Sequence, residues 1–226
     1  MNTIILAGGK GERLKPITTK IPKPMVMVNK KPIIWYILKQ LCFYKVKKVS
    51  LAVGYKASSI IDYVSENFLG LNIIFSNQGN VDIIERIKAI VKTNPLEDIL
   101  ILYGDTISDV NINELLKFSK ENINHSILTI WPLRTNFGIV EINSDKEIIA
   151  FKEKPQLDKF INIGYFILKK EHFKDLDKFD NYGEFLTYCG DKGFLKAYVH
   201  KGEHFTVNNV VELKQVEKHL KKIKIF

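Results

Sequence analysis

Short apolar runs alternate with amphipathic stretches along the whole chain of 226 residues. Residues 3–6, 49–53 and 99–102 are mainly apolar runs too short for helices, the pattern of strands covered on both faces. Residues 73–75 read as a further short strand. Between these runs, 31–44, 58–68, 83–92 and 111–120 read as helices. In the first of them Ile34, Leu38 and Leu41 share one face, and Pro32 falls near the first turn, where a missing N–H is tolerated. Asp109 or Asn111 is placed to cap the last. The first half therefore reads βαβαβαβα.

That alternation predicts a parallel sheet with helices on both faces, because parallel neighbours need a crossover and the crossover helices cover the sheet. Ligands of such sheets bind outside the carboxyl ends of the strands. Gly8–Arg13 and Gly104-Asp105 both follow strands directly, so they are expected to share one crevice. The second half is less regular, with strands expected at 126–131, 138–142, 148–152, 163–168 and 195–199 and helices at 182–190 and 210–222. The predicted class is α/β: a Rossmann-like three-layer sandwich with a mixed, mainly parallel sheet. No linker or repeat divides it. We expect one domain over 1–226, its two halves dividing at about residue 122.

Composition narrows the function classes. With 46% apolar and 26% charged residues the chain can bury a full core. The formal charge of +9 suits polyanionic partners. Nucleic acid is not expected among them: the lysines are scattered, and the late group Lys214, Lys218, Lys221, Lys222 and Lys224 reads as the solvated face of a terminal helix. No apolar stretch approaches about 18 residues, and residues 1–6 run straight into a glycine-rich turn instead of forming a signal peptide, so a cytoplasmic protein without membrane contact is expected. Cys42 and Cys189 sit in apolar surroundings without CxxC spacing and read as small core residues in a reducing compartment. The five histidines show no metal-ligand spacing, and solvent or packing roles are expected; His204, close to Asn208, is the exception to examine.

Four segments carry candidate chemistry. Gly8-Gly9-Lys10-Gly11-Glu12-Arg13 lets a backbone turn tightly and aim N–H groups at an anion, and Arg13 adds a fork suited to phosphate oxygens. No Lys-Ser/Thr follows as in a P-loop, and no GxGxxG is completed. Pro22 and Pro24 bracket Lys23 and present its ammonium from a stiff loop. Tyr103-Gly104-Asp105 ends a buried strand in a carboxylate suited to Mg²⁺. Glu153-Lys154-Pro155 ends another, where a carboxylate can hold hydroxyls beside a phosphate-seeking lysine. Taken singly, each is equally compatible with a plain turn, a surface lysine, a capping aspartate or a surface ion pair.

Together and in this order, LAGGKGERLKPIT, IPKPM, YGD and FKEKPQ resemble the sugar-phosphate nucleotidyltransferase family over nearly the whole chain. KPIIWYILK, VGYKASSIIDYV, YGDTISDVNINELLKF, FGIVEINSD and EKPQLDKFINIGYFIL are most similar to its glucose-1-phosphate cytidylyltransferases. The resemblance implies a nucleotide site of Leu6, Ala7, Gly8, Gly9, Gly11, Arg13, Lys23 and Gly104, catalytic roles for Arg13, Lys23 and Asp105, and a sugar-phosphate site of Gly138, Glu153, Lys154 and Asn162. It also implies a nucleotide-binding half of about 1–122 and a sugar-phosphate-binding half of about 123–226, Mg²⁺ as cofactor on Asp105, an NTP and a sugar 1-phosphate as substrates, and a homo-oligomer. The expected reaction releases pyrophosphate and makes an NDP-sugar, with CTP and a hexose 1-phosphate as first choice. Guanylyl or thymidylyl transfer to another sugar 1-phosphate, or a non-catalytic sugar-nucleotide-binding homologue, are the alternatives. Three departures from the family pattern stand out. Glu12 occupies the middle of the usual GTR, the small residues that usually line the base are replaced by Asn80-Val81-Asp82-Ile83-Ile84-Glu85-Arg86, and Asn208 stands where a second metal-binding aspartate is usual. An amide oxygen there can still ligate Mg²⁺, without charge.

Overall fold

A computed structural model describes residues 1–93 and 95–225. Its centre is a seven-stranded sheet in the order Leu195–Val199, Ser126–Arg134, Gln156–Leu168, Ile99–Tyr103, Asn2–Leu6, Lys48–Val53, Asn72–Asn77. The strands of the first half are parallel to one another, as their crossover helices require. The Gln156–Leu168 strand runs antiparallel to both neighbours, and Leu195–Val199 returns parallel to Ser126–Arg134. The result is a mixed, mainly parallel sheet between helical layers.

Chain order reverses direction at Asn2–Leu6: the next two strands lie on one side of it and Ile99–Tyr103 on the other. The register pairs Leu6 with both Ala52 and Tyr103, so the turn after Leu6 and the turn after Tyr103 emerge side by side. The Gly104 N–H donates to the Leu6 carbonyl at 3.0 Å and locks them together. Buried apolar side chains cover both faces of the sheet. Ile5, Leu38, Leu51, Leu100 and Leu115 belong to one layer, and Ile4, Ile87, Ile101, Phe166 and Phe185 to the other.

Each of the principal helices from residue 82 onward starts at a polar cap. Asp82, Asn111, Asn181 and Asn209 accept from backbone N–H groups of the first turn. Asn111, and not Asp109, therefore caps Ile112–Glu121; Asp109 instead accepts from the Glu203 N–H and contacts His200. The first long helix is Ile33–Phe43, shorter than expected, because Lys31–Pro32 stays extended and pairs with Met27–Val28. The strand expected at 163–168 begins at Gln156. Its first half is polar and partly exposed, which conceals it from an apolar pattern, and the ladder to Ser126–Arg134 is irregular there. The helix expected to reach 222 ends at His219 and continues as a tighter turn, Leu220–Lys222.

The 139–142 and 148–152 strands form a separate hairpin outside the central sheet. A pairing invisible in the sequence joins Thr106–Ser108 to His204–Thr206. Cys42 is exposed, against expectation, at the end of its helix, while Cys189 is fully buried. The late lysines are all exposed. No described helix is long and apolar enough to cross a membrane.

Candidate active site

A cavity of about 400 Å³ opens at the carboxyl edge of the sheet, where the chain order reverses. Leu6, Ala7, Gly8, Gly9 and Gly11 form one wall, with Arg13 exposed at its rim. Gly11 has φ of 64°, which a side chain disfavours, and its carbonyl accepts from the Thr18 hydroxyl at 2.9 Å. Glu12 also lines this cavity and forms an exposed pair with Lys15.

Lys23 enters from a single tight turn, Lys23–Met25, and is buried together with Pro24. Its ammonium donates to Asp105 Oδ2 at 2.5 Å and to Asn208 Oδ1 at 3.0 Å. Asp105 follows Tyr103-Gly104 at the strand end. Asn208 is brought in by the small ladder Thr106–Ser108/His204–Thr206, and its own amide nitrogen donates to Thr206 Oγ1 at 3.1 Å. The two asparagines divide their work. Asn209 caps the following helix, while the Asn208 side chain faces Lys23. Glu212 closes this cap, accepting from Asn208 N at 2.9 Å and from Asn209 Nδ2 at 2.9 Å.

One carboxylate and one amide oxygen thus converge on a single cationic group. This is the hard-oxygen donor set that Mg²⁺ accepts when phosphate oxygens and water complete its shell, so the residues present fit that ion. Among the described residues, no cluster of three or more His, Cys, Asp or Glu could hold a metal without such help.

The expected nucleotide and catalytic residues are brought together: Leu6, Ala7, Gly8, Gly9, Gly11, Arg13, Lys23, Gly104, Asp105 and Asn208 all line this cavity. The expected sugar-phosphate residues stand apart from its wall. Glu153 and Lys154 form an exposed pair at 3.5 Å beside the 139–152 hairpin, with Lys154 at φ of 45°. Gly138 sits under Phe151 and within reach of Glu153. Asn162 connects indirectly, donating to the Tyr103 hydroxyl at 3.1 Å, and Tyr103 is itself a wall residue. Gly164, at φ of 77°, leaves the space that the Tyr103 ring fills.

Sequence reasoning passed over Arg86 and Tyr103 as wall residues. The signal for Arg86 was present: an arginine among Ile84, Ile87 and Ile90 on the apolar side of a helix needs a buried reason. His204 lies outside this cavity and lines a second one with Trp131, where burial, and then the neighbouring His200, push its imidazole down to about 4.

A nucleotidyl transferase family model matches residues 2–208. The chain belongs to the nucleotidyl transferase family. It is 33% identical to the D-glycero-alpha-D-manno-heptose 1-phosphate guanylyltransferase of Campylobacter jejuni, across 92% of this chain and 100% of that protein. It is 29% identical to the glucose-1-phosphate cytidylyltransferase of Salmonella typhimurium, across 89% of each. The bifunctional protein GlmU of Methanococcus maripaludis is 34% identical over 78% of this chain, which spans only 42% of GlmU's length. A UDP-glucose pyrophosphorylase solved with UDP-glucose superimposes with a TM-score of 0.77 at 18% identity, covering 98% of each chain, and so shares the fold. These matches place the chain among the sugar-1-phosphate nucleotidyltransferases, as the four motif segments implied.

Proposed function

We propose that this family member catalyses attack of a sugar 1-phosphate oxygen on the α-phosphorus of an NTP. The new P–O bond forms as the bond to the β-phosphate breaks, and pyrophosphate leaves with the electron pair. The observation that carries this reading is the Lys23 ammonium, seated between Asp105 and Asn208 at one wall of a cavity floored by a glycine turn. Both reactants are anions, so the task is to neutralise repulsion and hold the oxygens in line. The turn at Gly8–Arg13 supplies N–H groups and a guanidinium for the triphosphate, and Lys23 supplies charge at the transferring group. The attacking oxygen is already ionised, so no side chain need remove a proton. Mg²⁺, held by Asp105 and Asn208, would neutralise phosphate charge.

For the substrates, CTP with a hexose 1-phosphate is the first reading, supported by the motif segments and by the cytidylyltransferase likeness. GTP with a heptose 1-phosphate is the second, favoured by 33% identity along the full length of the guanylyltransferase. Gly138, Glu153, Lys154 and Asn162 are proposed to receive the sugar phosphate, with Tyr103 linking Asn162 to the cavity. Pyrophosphate release should be measured for CTP, GTP, UTP and dTTP against a panel of sugar 1-phosphates with Mg²⁺. A single productive pair is expected; no release from any pair, with NTP binding retained, would support a non-catalytic binder instead.

We read 1–226 as one domain, because a single sheet takes strands from both halves. The unpaired cysteines fit a reducing, cytoplasmic setting. Self-association is proposed as well: the hairpin exposes Val140, Ile142, Ile148, Ile149 and Phe151 together, and light scattering should report more than one chain per particle.

A further inference from the structure

Arg86 is 3% exposed, and among the described residues no carboxylate forms an ion pair with it, Asp82 acting only at longer range. Its guanidinium is held instead by main-chain carbonyls from three separate parts of the chain. Nη1 donates to Val53 O at 2.6 Å, at the end of the Lys48–Val53 strand. Nη2 donates to Gly79 O at 2.7 Å and, at 3.3 Å each, to Val81 O just before the helix and Gly8 O in the glycine turn. A buried cation without such partners would be strongly unfavourable, and the planar fork of arginine, with more N–H donors than an ammonium, suits carbonyls lying in several directions.

The surrounding glycines are fitted to this group. A Cβ on Gly8 would lie 2.2 Å from Nη1, and one on Gly54 would lie 2.5 Å from the Gly79 carbonyl and 2.8 Å from the guanidinium. Gly8 in the turn, the segment Asn80, Val81 and Ile83, and Arg86 itself all line the cavity. One side chain therefore ties together two walls that lie more than 70 positions apart in sequence.

We propose that Arg86 is a positioning residue of the nucleotide site: it fixes the glycine turn relative to the 79–83 wall and so sets how an NTP is accommodated. This rests on reading the cavity as the nucleotide site. The role acts through backbone carbonyls, so it should affect the NTP and spare the sugar phosphate.

The test compares wild type with Arg86→Lys and Arg86→Ala, using direct NTP binding, KM for each substrate and thermal melting. Arg86→Lys keeps the charge and most of the stem but loses the fork. It should weaken NTP binding and raise KM for the NTP at least about ten-fold, the scale of one charge-assisted hydrogen bond lost. KM for the sugar 1-phosphate should stay within about two-fold of wild type, far less than the loss of one such bond. Guanidinium ion at millimolar concentration, added to Arg86→Ala, should recover part of the NTP affinity by refilling the space. Should Arg86→Ala fail to fold, Arg86→Lys alone decides. Unchanged NTP affinity in Arg86→Lys, or equal losses for both substrates without guanidinium rescue, would overturn the proposal while leaving the site reading intact. Wild-type protein that binds no NTP at all would overturn the site reading itself.

Discussion

Lys23 and Asp105, 82 positions apart, meet at 2.5 Å where the turn after the Ile99–Tyr103 strand faces the proline-bracketed loop. The same ammonium holds Asn208 at 3.0 Å. Residues from three distant segments thus share one hydrogen-bond system, and replacing any one changes the environment of the other two.

Asp105→Asn should lower turnover by about 100- to 1000-fold, the usual scale for one lost charge-stabilising group, with the fold retained. The substitution leaves Lys23 between two neutral amide oxygens and removes the only charged oxygen of the pair. Initial rates at limiting and saturating Mg²⁺, alongside circular dichroism, check this. Near wild-type rates at limiting Mg²⁺ would exclude Asp105 as the metal ligand.

Asn208→Asp should lower the Mg²⁺ concentration needed for half-maximal rate. The acidic residues weighed as a replacement carboxylate each hold another partner, although Glu12 also lines the cavity. Glu12 pairs with Lys15, Glu203 lies 3.8 Å from Lys222, and Glu212 closes the cap at Asn208 and Asn209. A Mg²⁺ titration of both proteins decides, and an unchanged or higher requirement in the variant would contradict a simple loss of charge at this position.

Lys23→Ala and Arg13→Ala should each reduce kcat/KM by about 100- to 1000-fold, since in the proposed reaction each removes a donor that would meet phosphate charge. Glu153→Ala, at an exposed pair away from the cavity wall, should mainly raise KM for the sugar phosphate. Equal effects of Glu153→Ala on both substrates would argue against separate half-sites.

The His204 imidazole is lowered from 6.5 to about 4, first by burial and then by His200. The unfolded chain takes up this proton at the higher pH, so the unfolded state binds more protons between those two values. Stability should therefore fall as pH drops below about 6.5 and level off below about 4, by up to about 1.4 kcal/mol per pH unit from this group. His204→Phe retains a ring against Trp131 and should flatten the curve in that window, measured by urea unfolding at several pH values. An identical slope in the variant would assign the acid sensitivity to other groups.

A thiol reagent should modify one cysteine in the native protein and two after denaturation. Cys42 is exposed, although burial of part of its surroundings raises its thiol and slows the reaction. Cys189 is fully buried and its thiol is pushed up to about 12 by burial. Rapid loss of both thiols from native protein would contradict that packing.

The alternating pattern sufficed for the α/β class, for the parallel front half and for the order of its main-sheet strands and long helices, because each apolar run or face must be buried locally in its own periodicity. The glycine turn, Lys23 and Asp105 were legible for a similar reason: each sits within a few residues of a strand end or between two prolines, where local geometry limits what the side chain can do. The polar half of Gln156–Leu168 and the ladder between Thr106–Ser108 and His204–Thr206 were not legible, since their hydrogen bonds go to strands far along the chain. The same applies to the meeting of Asn208 with Lys23 and to the hold of Arg86 on Val53, Gly8, Gly79 and Val81. Local chemistry shows that an asparagine or arginine needs partners, but only long-range closure of the sheet determines which partners come within 3 Å or so of it.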